Sequence, residues 1–238
     1  MKLKRFLFLI LFILLPSNVS AEELILKSFG HSQFLIKGNG KSILINPFKA
    51  VGCARQFKES QNIEKDLILA SSRLADEGYN PNNDLMFVNP GTYEYNNLIF
   101  NGITVPHDRL NGRRYGKATV WTWKQSDFKI VHMGGAAGDI TFEDQIIINR
   151  PDILFISIGG GIKSYTGKEA LEIIEILNPK IIVPVHFLNT KKNIVDCDLS
   201  NEDKFLENIS KYEVKYIGKE LKLNSKKYKD KIIYIFRN

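Results

Sequence analysis

The sequence predicts an α/β fold in which short strands fill the first half of the chain and strands alternate with helices in the second half. In residues 24–132, Gly, Pro and Asn separate short runs of β-branched, aromatic and other apolar residues, a pattern typical of strands. Farther on, a continuous apolar run (Asp152–Ile158), a segment of helical periodicity (Lys168–Leu177) and a second apolar run (Ile181–Val185) follow one another. This order predicts two parallel strands joined by a right-handed helical crossover, with functional loops at the strand ends.

The β-rich half contains one strong hairpin signal. Gly38-Asn39-Gly40 separates the predicted strands Phe34–Lys37 and Ser42–Ile45, and Asn-Gly supplies the positive φ angles of a tight hairpin. The other strands predicted here are Leu24–Phe29, Asp66–Ala70, Leu85–Val88, Tyr93–Phe100, Ile103–Val105, Ala118–Lys124 and Phe128–His132. We expect the aromatic side chains of Trp121, Trp123, Phe128 and Phe155 to lie in the core.

The second half contains one well-marked helix. Its apolar residues recur at the i, i+3, i+4, i+7 spacing of one helical face, and Asn178-Pro179 ends it. The residues on that face are Ala170, Ile173, Ile174 and Leu177. A short helix at Asp203–Lys211 and closing strands at Val214–Ile217 and Ile232–Phe236 complete the prediction.

The first 21 residues have the pattern of an export signal. They contain a basic start, an apolar run and a small-residue cleavage site: Lys2, Lys4 and Arg5; Phe6–Leu15; and Val19-Ser20-Ala21. The apolar run is about ten residues long, whereas a membrane span needs roughly 20, so cleavage before Glu22 is favoured over an uncleaved anchor. We therefore expect a single domain, residues 22–238, exported to a periplasm, a lumen or the extracellular space, with no later membrane span.

Charge excludes one class of partner. The net charge is 33 − 26 = +7, and removal of the three basic residues of the signal leaves 30 − 26 = +4. The remaining lysines are scattered or lie near the C-terminus, and neither a basic helix nor an aromatic stacking motif accompanies them. The sequence therefore predicts no nucleic-acid partner.

The chain contains two cysteines, Cys53 and Cys197. In an exported protein they could form a disulfide, and the alternative is two unpaired thiols in loops. Neither belongs to a CxxC motif, which excludes a cysteine zinc knot.

Several short motifs follow one another in a definite order. They are Gly30-His31-Ser32 followed by Phe34–Ile36 and Ile43–Phe48; His107-Asp108 followed by Gly112–Gly116; Val131–Gly134; and Asp152–Leu154 through Pro184–His186. Their order and spacing resemble the metallo-β-lactamase superfamily, in particular its small metal-dependent hydrolases similar to ascorbate-6-phosphate lactonase. The resemblance implies an αββα four-layer sandwich, in which two mixed β-sheets pack face to face with helices outside and a metal site lies at one edge.

The chain departs from this family at its main metal motif, His-x-His-x-Asp-His. The corresponding positions are Ser72, Leu74, Asp76 and Glu77, so the three histidines are absent. The bridging aspartate of the family corresponds to Gly135. Serine, leucine and glycine side chains cannot replace imidazole and carboxylate ligands, so most of the metal cage is missing.

The residues that remain support two hypotheses about metal binding. His132 and His186, with Asp76 or Glu77, could hold one divalent ion of zinc, manganese or iron, because two imidazoles and a carboxylate form a known site for such ions. Alternatively no ion binds, and the two histidines are hydrogen-bonded loop residues. The corresponding alternatives for His31 are a general base, whose unperturbed pKa of about 6.5 suits neutral pH, and a local hydrogen-bonding group.

The remaining candidates concern the substrate. His107, Arg113 and Arg114 are predicted to contact it, since arginine can hold a carboxylate or phosphate through paired hydrogen bonds. A solvated turn is the alternative for the arginine pair. All four histidines lie in segments expected to border one cleft.

These residues lead to two functional hypotheses. The first is hydrolysis of an ester, lactone or phosphoester, in which a metal-activated water attacks and Asp76 or His31 handles the proton. The second is a noncatalytic module that binds a small anion in the same cleft. Both predict a small molecule as the partner, and the second predicts an anion.

Overall fold

The computed structural model describes residues 23–189 and 194–237. The predicted signal, residues 1–21, and its cleavage point before Glu22 lie outside these residues. The strands are β1 (Glu23–Gly30), β2 (Gln33–Gly38), β3 (Lys41–Ile45), β4 (Leu67–Leu69), β5 (Met86–Phe87), β6 (Gly91–Tyr95), β7 (Leu98–Pro106), β8 (Lys117–Gln125), β9 (Phe128–His132), β10 (Ile153–Ser157), β11 (Ile181–Val185), β12 (Glu213–Ile217), β13 (Glu220–Asn224) and β14 (Ile232–Phe236). The helices are a 3₁₀ helix (Gly52–Gln56), α1 (Phe142–Ile148), α2 (Gly167–Leu177) and α3 (Asp203–Leu206).

The strands form two mixed sheets. The six-stranded sheet has the order β13-β1-β2-β3-β4-β5, with its first four strands antiparallel and β3, β4 and β5 parallel. The eight-stranded sheet has the order β12-β14-β11-β10-β9-β8-β7-β6, parallel from β12 to β9 and antiparallel from β9 to β6. The predicted sandwich of two mixed β-sheets is confirmed.

The four aromatic residues predicted to lie in the core are found between the sheets. Trp121, Trp123, Phe128 and Phe155 are all buried there. The Trp121 indole Nε1 also donates a hydrogen bond of 2.9 Å to the carbonyl oxygen of Ala70, which follows β4 in the opposite sheet. This bond satisfies the one polar atom of a fully buried indole and links the two sheets.

Helix α2 covers the outer face of the eight-stranded sheet. Thr166 caps its N-terminus in a capping box with Glu169, and Asn178 ends it in the left-handed conformation. The predicted apolar face is buried against Leu154 and Ile182 of the sheet. On the other side of the sandwich, the segment between β3 and β4, which carries the 3₁₀ helix, places Ile63 over the outer face of the six-stranded sheet.

Two strand predictions differ from the structure for local reasons. The predicted strand Tyr93–Phe100 is a hairpin, because Asn96 and Asn97 both adopt positive φ, 48° and 66°, and reverse the chain between β6 and β7. Strand β13 has no counterpart among the predicted elements. It is an edge strand in which Leu221 and Leu223 alternate with polar residues, and Leu223 is buried in the core between the sheets. Two apolar residues in five are too short a pattern to mark a strand, and pairing with β1 defines it.

Two helix predictions also differ. Helix α1 has no predicted counterpart because its side chains are mostly exposed, although Thr141 and Asp144 form a capping box at its start. Helix α3 ends at Leu206 instead of continuing to Lys211. Within the described residues, no helix has the length and apolarity needed to cross a membrane.

A disulfide joins the 3₁₀ helix to the loop that follows β11. It pairs Cys53 with Cys197, which decides between the two alternatives left open by the sequence. Gln56 supports the same junction, since its side chain donates to the Phe187 carbonyl oxygen at 3.2 Å and accepts from the Asn189 amide at 2.7 Å. The two outer loops are therefore held together covalently and by hydrogen bonds.

Removing this disulfide should destabilise the protein. The bond closes a loop spanning 144 positions, so it restricts the unfolded chain strongly, and the Cys53→Ser/Cys197→Ser variant should lose about 3 kcal/mol of unfolding free energy. Urea denaturation followed by circular dichroism measures the loss. Wild-type protein treated with reductant should show the same midpoint as the variant, and equal midpoints for oxidised and reduced wild type would contradict the prediction.

Candidate metal centre

The site lies where the carboxyl ends of strands from both sheets meet. Strands β1, β3 and β4 of one sheet run in the same direction, and so do β7, β9, β10 and β11 of the other. Residues at the ends of these strands and in the loops that follow them therefore gather at one edge of the sandwich. They include His31, Asn46, Ser71, Asp76, Glu77, His107, His132, Lys163 and His186.

Three of these residues form the candidate metal-binding cluster, which we define as His31, Asp76 and His186. Each offers one ligand atom, and these atoms lie within 4.8 Å of one another. The His31 and His186 ring centroids are 4.2 Å apart, and the His31 Nε2 atom is 4.0 Å from Asp76 Oδ2. Two imidazoles and a carboxylate at this spacing match the donor set of a zinc or iron site.

The backbone of the cluster is held in a strained conformation. His31 and His186 both have positive φ, 54° and 51°, a region that non-glycine residues enter at a cost. The His186 amide donates a 3.0 Å hydrogen bond to the His31 carbonyl oxygen, so each loop fixes the other. The two imidazoles are therefore held next to each other before any ligand binds.

Both imidazoles are in the form that binds metals. Burial lowers the pKa of His31 to about 4, partly opposed by the carboxylate of Asp76. Burial and the neighbouring His31 place the pKa of His186 well below its usual value. Both rings are thus neutral at pH 7, and a neutral imidazole has a lone pair free for an ion.

Glu77 and His107 form a separate buried ion pair. The His107 Nε2 atom lies 2.9 Å from Glu77 Oε2, and both side chains are fully buried. Burial raises the pKa of Glu77, but His107 outweighs this effect and holds that pKa well below its usual range. Burial likewise lowers the pKa of His107, and Glu77 outweighs it and raises the value. Glu77 therefore carries a charge that His107 already balances.

The same carboxylate also accepts hydrogen bonds from two serines of its own loop. Ser71 Oγ donates to Glu77 Oε2 at 2.6 Å, and Ser72 Oγ donates at 3.3 Å. Asn46 extends the network, since its Nδ2 donates to Ser71 Oγ at 3.0 Å and its Oδ1 accepts from the Ser71 amide at 2.8 Å. This network orders the loop that presents Asp76.

The ion pair leaves no space for a side chain at Gly135. A Cβ atom at position 135 would lie 2.4 Å from both carboxylate oxygens of Glu77 and 2.5 Å from His107 Nε2. An aspartate at this position, which the resemblance described above would expect, therefore has no room unless the pair moves.

His132 lies apart from the cluster of three. Its Nδ1 accepts a 3.1 Å hydrogen bond from the Gly134 amide, and its ring stacks on Phe155 with a centroid separation of 5.1 Å. Burial lowers its pKa to about 4. Of the four residues predicted as ligands, the structure thus places Asp76 and His186 in the cluster, joins them with His31, and engages Glu77 and His132 in other contacts.

Buried polar atoms without a hydrogen-bond partner are concentrated at this site. Within residues 23–189 and 194–237, six such atoms occur. They are both ring nitrogens of His31, Oε1 of Glu77, Nδ1 of His107, Nε2 of His132 and Nδ1 of His186. Folded proteins rarely bury such groups unpaired, so the site fits a polar occupant such as a metal ion with its water.

Lys163 extends from the loop after β10 to this cluster. Its ammonium forms an ion pair with the Asp76 carboxylate, and the two side chains expose 18% and 16% of their surface. The Nζ atom also lies 5.3 Å from the centroid of the Tyr115 ring, whose other cationic neighbour is Arg114 at 5.2 Å. The sequence analysis missed Lys163, although a lysine just after Gly159–Gly161 at the carboxyl end of a parallel strand is a usable signal.

A cleft of about 500 Å³ opens above the cluster. Its lining consists of Cys53, Asp76, Arg114, Tyr115, Ile162, Lys163, His186, Asp196, Cys197, Asp198 and Leu199. Of the three residues predicted to contact substrate, Arg114 lines this cleft, Arg113 is exposed outside the lining, and His107 is buried beneath Glu77. All four histidines lie at the same edge of the sandwich, but only His186 lines this cleft, whereas the sequence predicted that all four border it.

Asp108 shapes the loop that carries Arg114 and Tyr115. Its carboxylate accepts four backbone N–H hydrogen bonds of 2.7–3.0 Å, from Leu110, Gly112, Arg114 and Tyr115. Burial raises the pKa of Asp108, but these four donors outweigh it and lower the value. A ring of amide donors around one carboxylate therefore sets the position of two cleft residues.

Comparison with known proteins identifies the family. Residues 25–186 match the β-lactamase superfamily domain, which covers more than half of the chain. The chain therefore belongs to the metallo-β-lactamase superfamily, whose fold the two sheets reproduce. The narrower resemblance to ascorbate-6-phosphate lactonase stays a prediction.

Relatives and solved structures agree with this placement. A UPF0173 protein from Pyrococcus abyssi is 29% identical over 181 residues, covering 67% of this chain and 81% of the relative. A provisionally assigned zinc-dependent hydrolase of the superfamily from Thermotoga maritima superposes with a TM-score of 0.71 and 25% identity, covering 90% of this chain and 100% of that one. An isothiocyanate hydrolase from Delia radicum gut bacteria shares the fold at a TM-score of 0.55 and 14% identity, over 77% of this chain and 90% of its own.

Substituting Gly135 should disturb the site by crowding alone. The Gly135→Ala variant should lose about 2 kcal/mol of unfolding free energy, because its methyl group collides with the Glu77–His107 pair. Gly218→Ala is the matched control, since a Cβ atom there meets nothing within 4 Å. Urea denaturation of the two variants measures the difference, and equal stabilities would show that the pair does not occupy this space.

Proposed function

We propose that the protein binds one divalent metal ion through His31, Asp76 and His186 and hydrolyses a small ester, lactone or phosphoester. The observation that carries this proposal is the convergence of three ligand atoms within 4.8 Å at the place where buried polar atoms lack partners. Zinc, manganese and iron all suit two imidazoles and one carboxylate. The chain's membership of a superfamily rich in metal-dependent hydrolases supports the same function.

Each group at the site has a definite task in this proposal. A bound ion supplies Lewis acidity and lowers the pKa of a water molecule. The neutral rings of His31 and His186 serve as ligands, and Arg114 contacts the anionic part of the substrate in the cleft. Asp76 and His31 were also predicted to transfer a proton. The lone pair that binds an ion cannot also accept a proton, so for the ligating atom of either residue the two roles exclude each other.

The proposed centre is reduced compared with the family pattern. Ser72 and Leu74 replace histidines, and the ion pair of Glu77 and His107 crowds the place of the bridging aspartate at Gly135. We therefore propose a single ion held by three protein ligands, with lower affinity and lower activity than a complete two-metal cage would have.

We also propose that the protein is exported. The signal-like pattern of residues 1–21 supports this, and so does the Cys53–Cys197 disulfide, since disulfides form and persist in oxidising compartments. A fusion of residues 1–21 to a reporter that is active only after export, compared with the same fusion lacking them, tests the proposal.

Metal binding should depend on the cluster of three. Protein purified without chelator should contain about one equivalent of a transition metal, and His31→Ala or His186→Ala should weaken zinc affinity about 100-fold or more. Elemental analysis and isothermal titration measure these quantities. Asp76→Asn should weaken binding similarly, whereas the matched change at exposed Asp139, Asp139→Asn, should not.

Absence of a bound metal ion would reject this function. Native protein with less than about a tenth of an equivalent of any transition metal, and no uptake of added zinc, manganese or iron, would exclude a metal centre. Hydrolysis of ester, lactone and phosphoester substrates should then be absent as well.

A second candidate function is noncatalytic binding of a small anion in the same cleft. The Lys163–Asp76 ion pair favours it, because this pair already neutralises the cluster without a metal. It predicts that inorganic phosphate still binds after chelation, and that Arg114→Ala weakens this binding about tenfold. The matched control is Arg113→Ala, at an exposed position outside the cleft lining. Phosphate binding that disappears with chelator would count against this second function and in favour of the first.

A further inference from the structure

Lys163 lies next to the candidate metal-binding cluster and is paired with one of its proposed ligands. Its ammonium is paired with the carboxylate of Asp76, and Asp76 Oδ2 is the same atom that lies 4.0 Å from His31 Nε2. Asp76 is also the only carboxylate of the three-residue cluster. The lysine therefore holds the negatively charged ligand that an incoming metal ion would need.

An ammonium group and a divalent ion cannot share this position. Both are cations, and two cations a few ångströms apart in a largely buried site repel each other strongly. Metal binding at Asp76 consequently requires the Lys163 ammonium to leave the carboxylate.

The backbone around Lys163 is anchored, and its side chain borders the open cleft. The Ile162 amide donates to Asp198 Oδ2 at 2.9 Å, and the Ile162 carbonyl oxygen accepts from the Arg109 amide at 3.2 Å. On the other side, Ser164 Oγ contacts the His186 carbonyl oxygen at 3.4 Å. Lys163 itself lines the open cleft, and its long flexible stem can swing without a change in the loop.

The ammonium that pairs with Asp76 already lies at the edge of the cleft. Its Nζ atom is 5.3 Å from the centroid of the Tyr115 ring, the Arg114 guanidinium is 5.2 Å from the same ring, and all three residues line the cleft. A lysine that leaves Asp76 would join Arg114 as a pair of cations facing the cleft. Two cations at that position attract an anion, such as a sulfate, phosphate or carboxylate group.

We propose that Lys163 is an internal cation that occupies the metal position at Asp76, and that it moves into the cleft to bind the anionic group of the substrate when a metal ion takes its place. This inference rests on the proposed metal-dependent function and deepens it. It makes metal and anion binding cooperative, because each ligand favours the same position of one side chain. It also assigns the substrate to the class of small molecules that carry a phosphate, sulfate or carboxylate group.

The test is a linkage experiment on zinc affinity, with sulfate as the anion probe at constant ionic strength. Zinc dissociation constants are measured by titration against a competing chelator for wild type, Lys163→Met and Lys163→Gln. In wild type, sulfate should tighten zinc binding about fivefold or more. In both Lys163 variants, zinc should bind about tenfold more tightly than in wild type without sulfate, and sulfate should no longer change the affinity.

A matched control separates this effect from a general loss of positive charge. Lys168→Met removes an exposed lysine at the start of α2, and this variant should keep the wild-type zinc affinity and the wild-type response to sulfate. Thermal unfolding shows whether each variant is folded, and two substitutions at position 163 keep the test valid if one of them misfolds.

The outcomes distinguish this inference from the function on which it rests. Zinc binding by wild type that is unchanged in both Lys163 variants, or sulfate coupling that survives in them, would overturn the inference and leave the metal centre standing. Absence of zinc binding in wild type and in all variants would overturn both. Zinc binding only in the Lys163 variants would overturn the inferred exchange, because the lysine of the wild type would then never leave Asp76.

Discussion

The buried ion pair between Glu77 and His107 is the interaction on which the rest of the site depends. It joins the loop after β4 in one sheet to the end of β7 in the other, and both charges are removed from water. An isolated buried charge is very costly, so neither partner can leave without the other. The pair thereby positions the neighbouring Asp76, orders Ser71 and Ser72 around it, and fills the space above Gly135.

The charges of the site leave one carboxylate, that of Asp76, to be balanced by a cation. His31 and His186 are neutral because they are buried, and Glu77 is balanced by His107. The charge that remains is that of Asp76, which Lys163 pairs with. In related enzymes a metal ion supplies the positive charge at such a centre, whereas here a side chain of the protein itself can do so. The competition between lysine and metal is a direct consequence of this balance.

The fold could be predicted where local signals and burial agree. The Gly38-Asn39-Gly40 hairpin and the α2 helix follow from turn and capping chemistry and from an apolar face that is also buried. Prediction failed where an element is defined by its partner. Strand β13 buries Leu223 in the core, but its apolar pattern is only Leu221 and Leu223, and its pairing with β1 completes the definition. The short helix α1 has a mostly exposed surface with no clear apolar stripe. Periodicity carries little information in elements as short as these.

The sequence by itself determined the family, the β2–β3 hairpin, the parallel pair β10 and β11 joined by α2, and the set of histidines that gather at one edge. These follow from residue types at particular positions along the chain. Only the tertiary structure decided which of those residues act together. It grouped His31 with Asp76 and His186, paired Glu77 with His107, joined Cys53 to Cys197 and brought Lys163 to the cluster. The physical reason is that ligand sets and ion pairs depend on distances of a few ångströms between loops from different strands, and those distances are set by the packing of the two sheets.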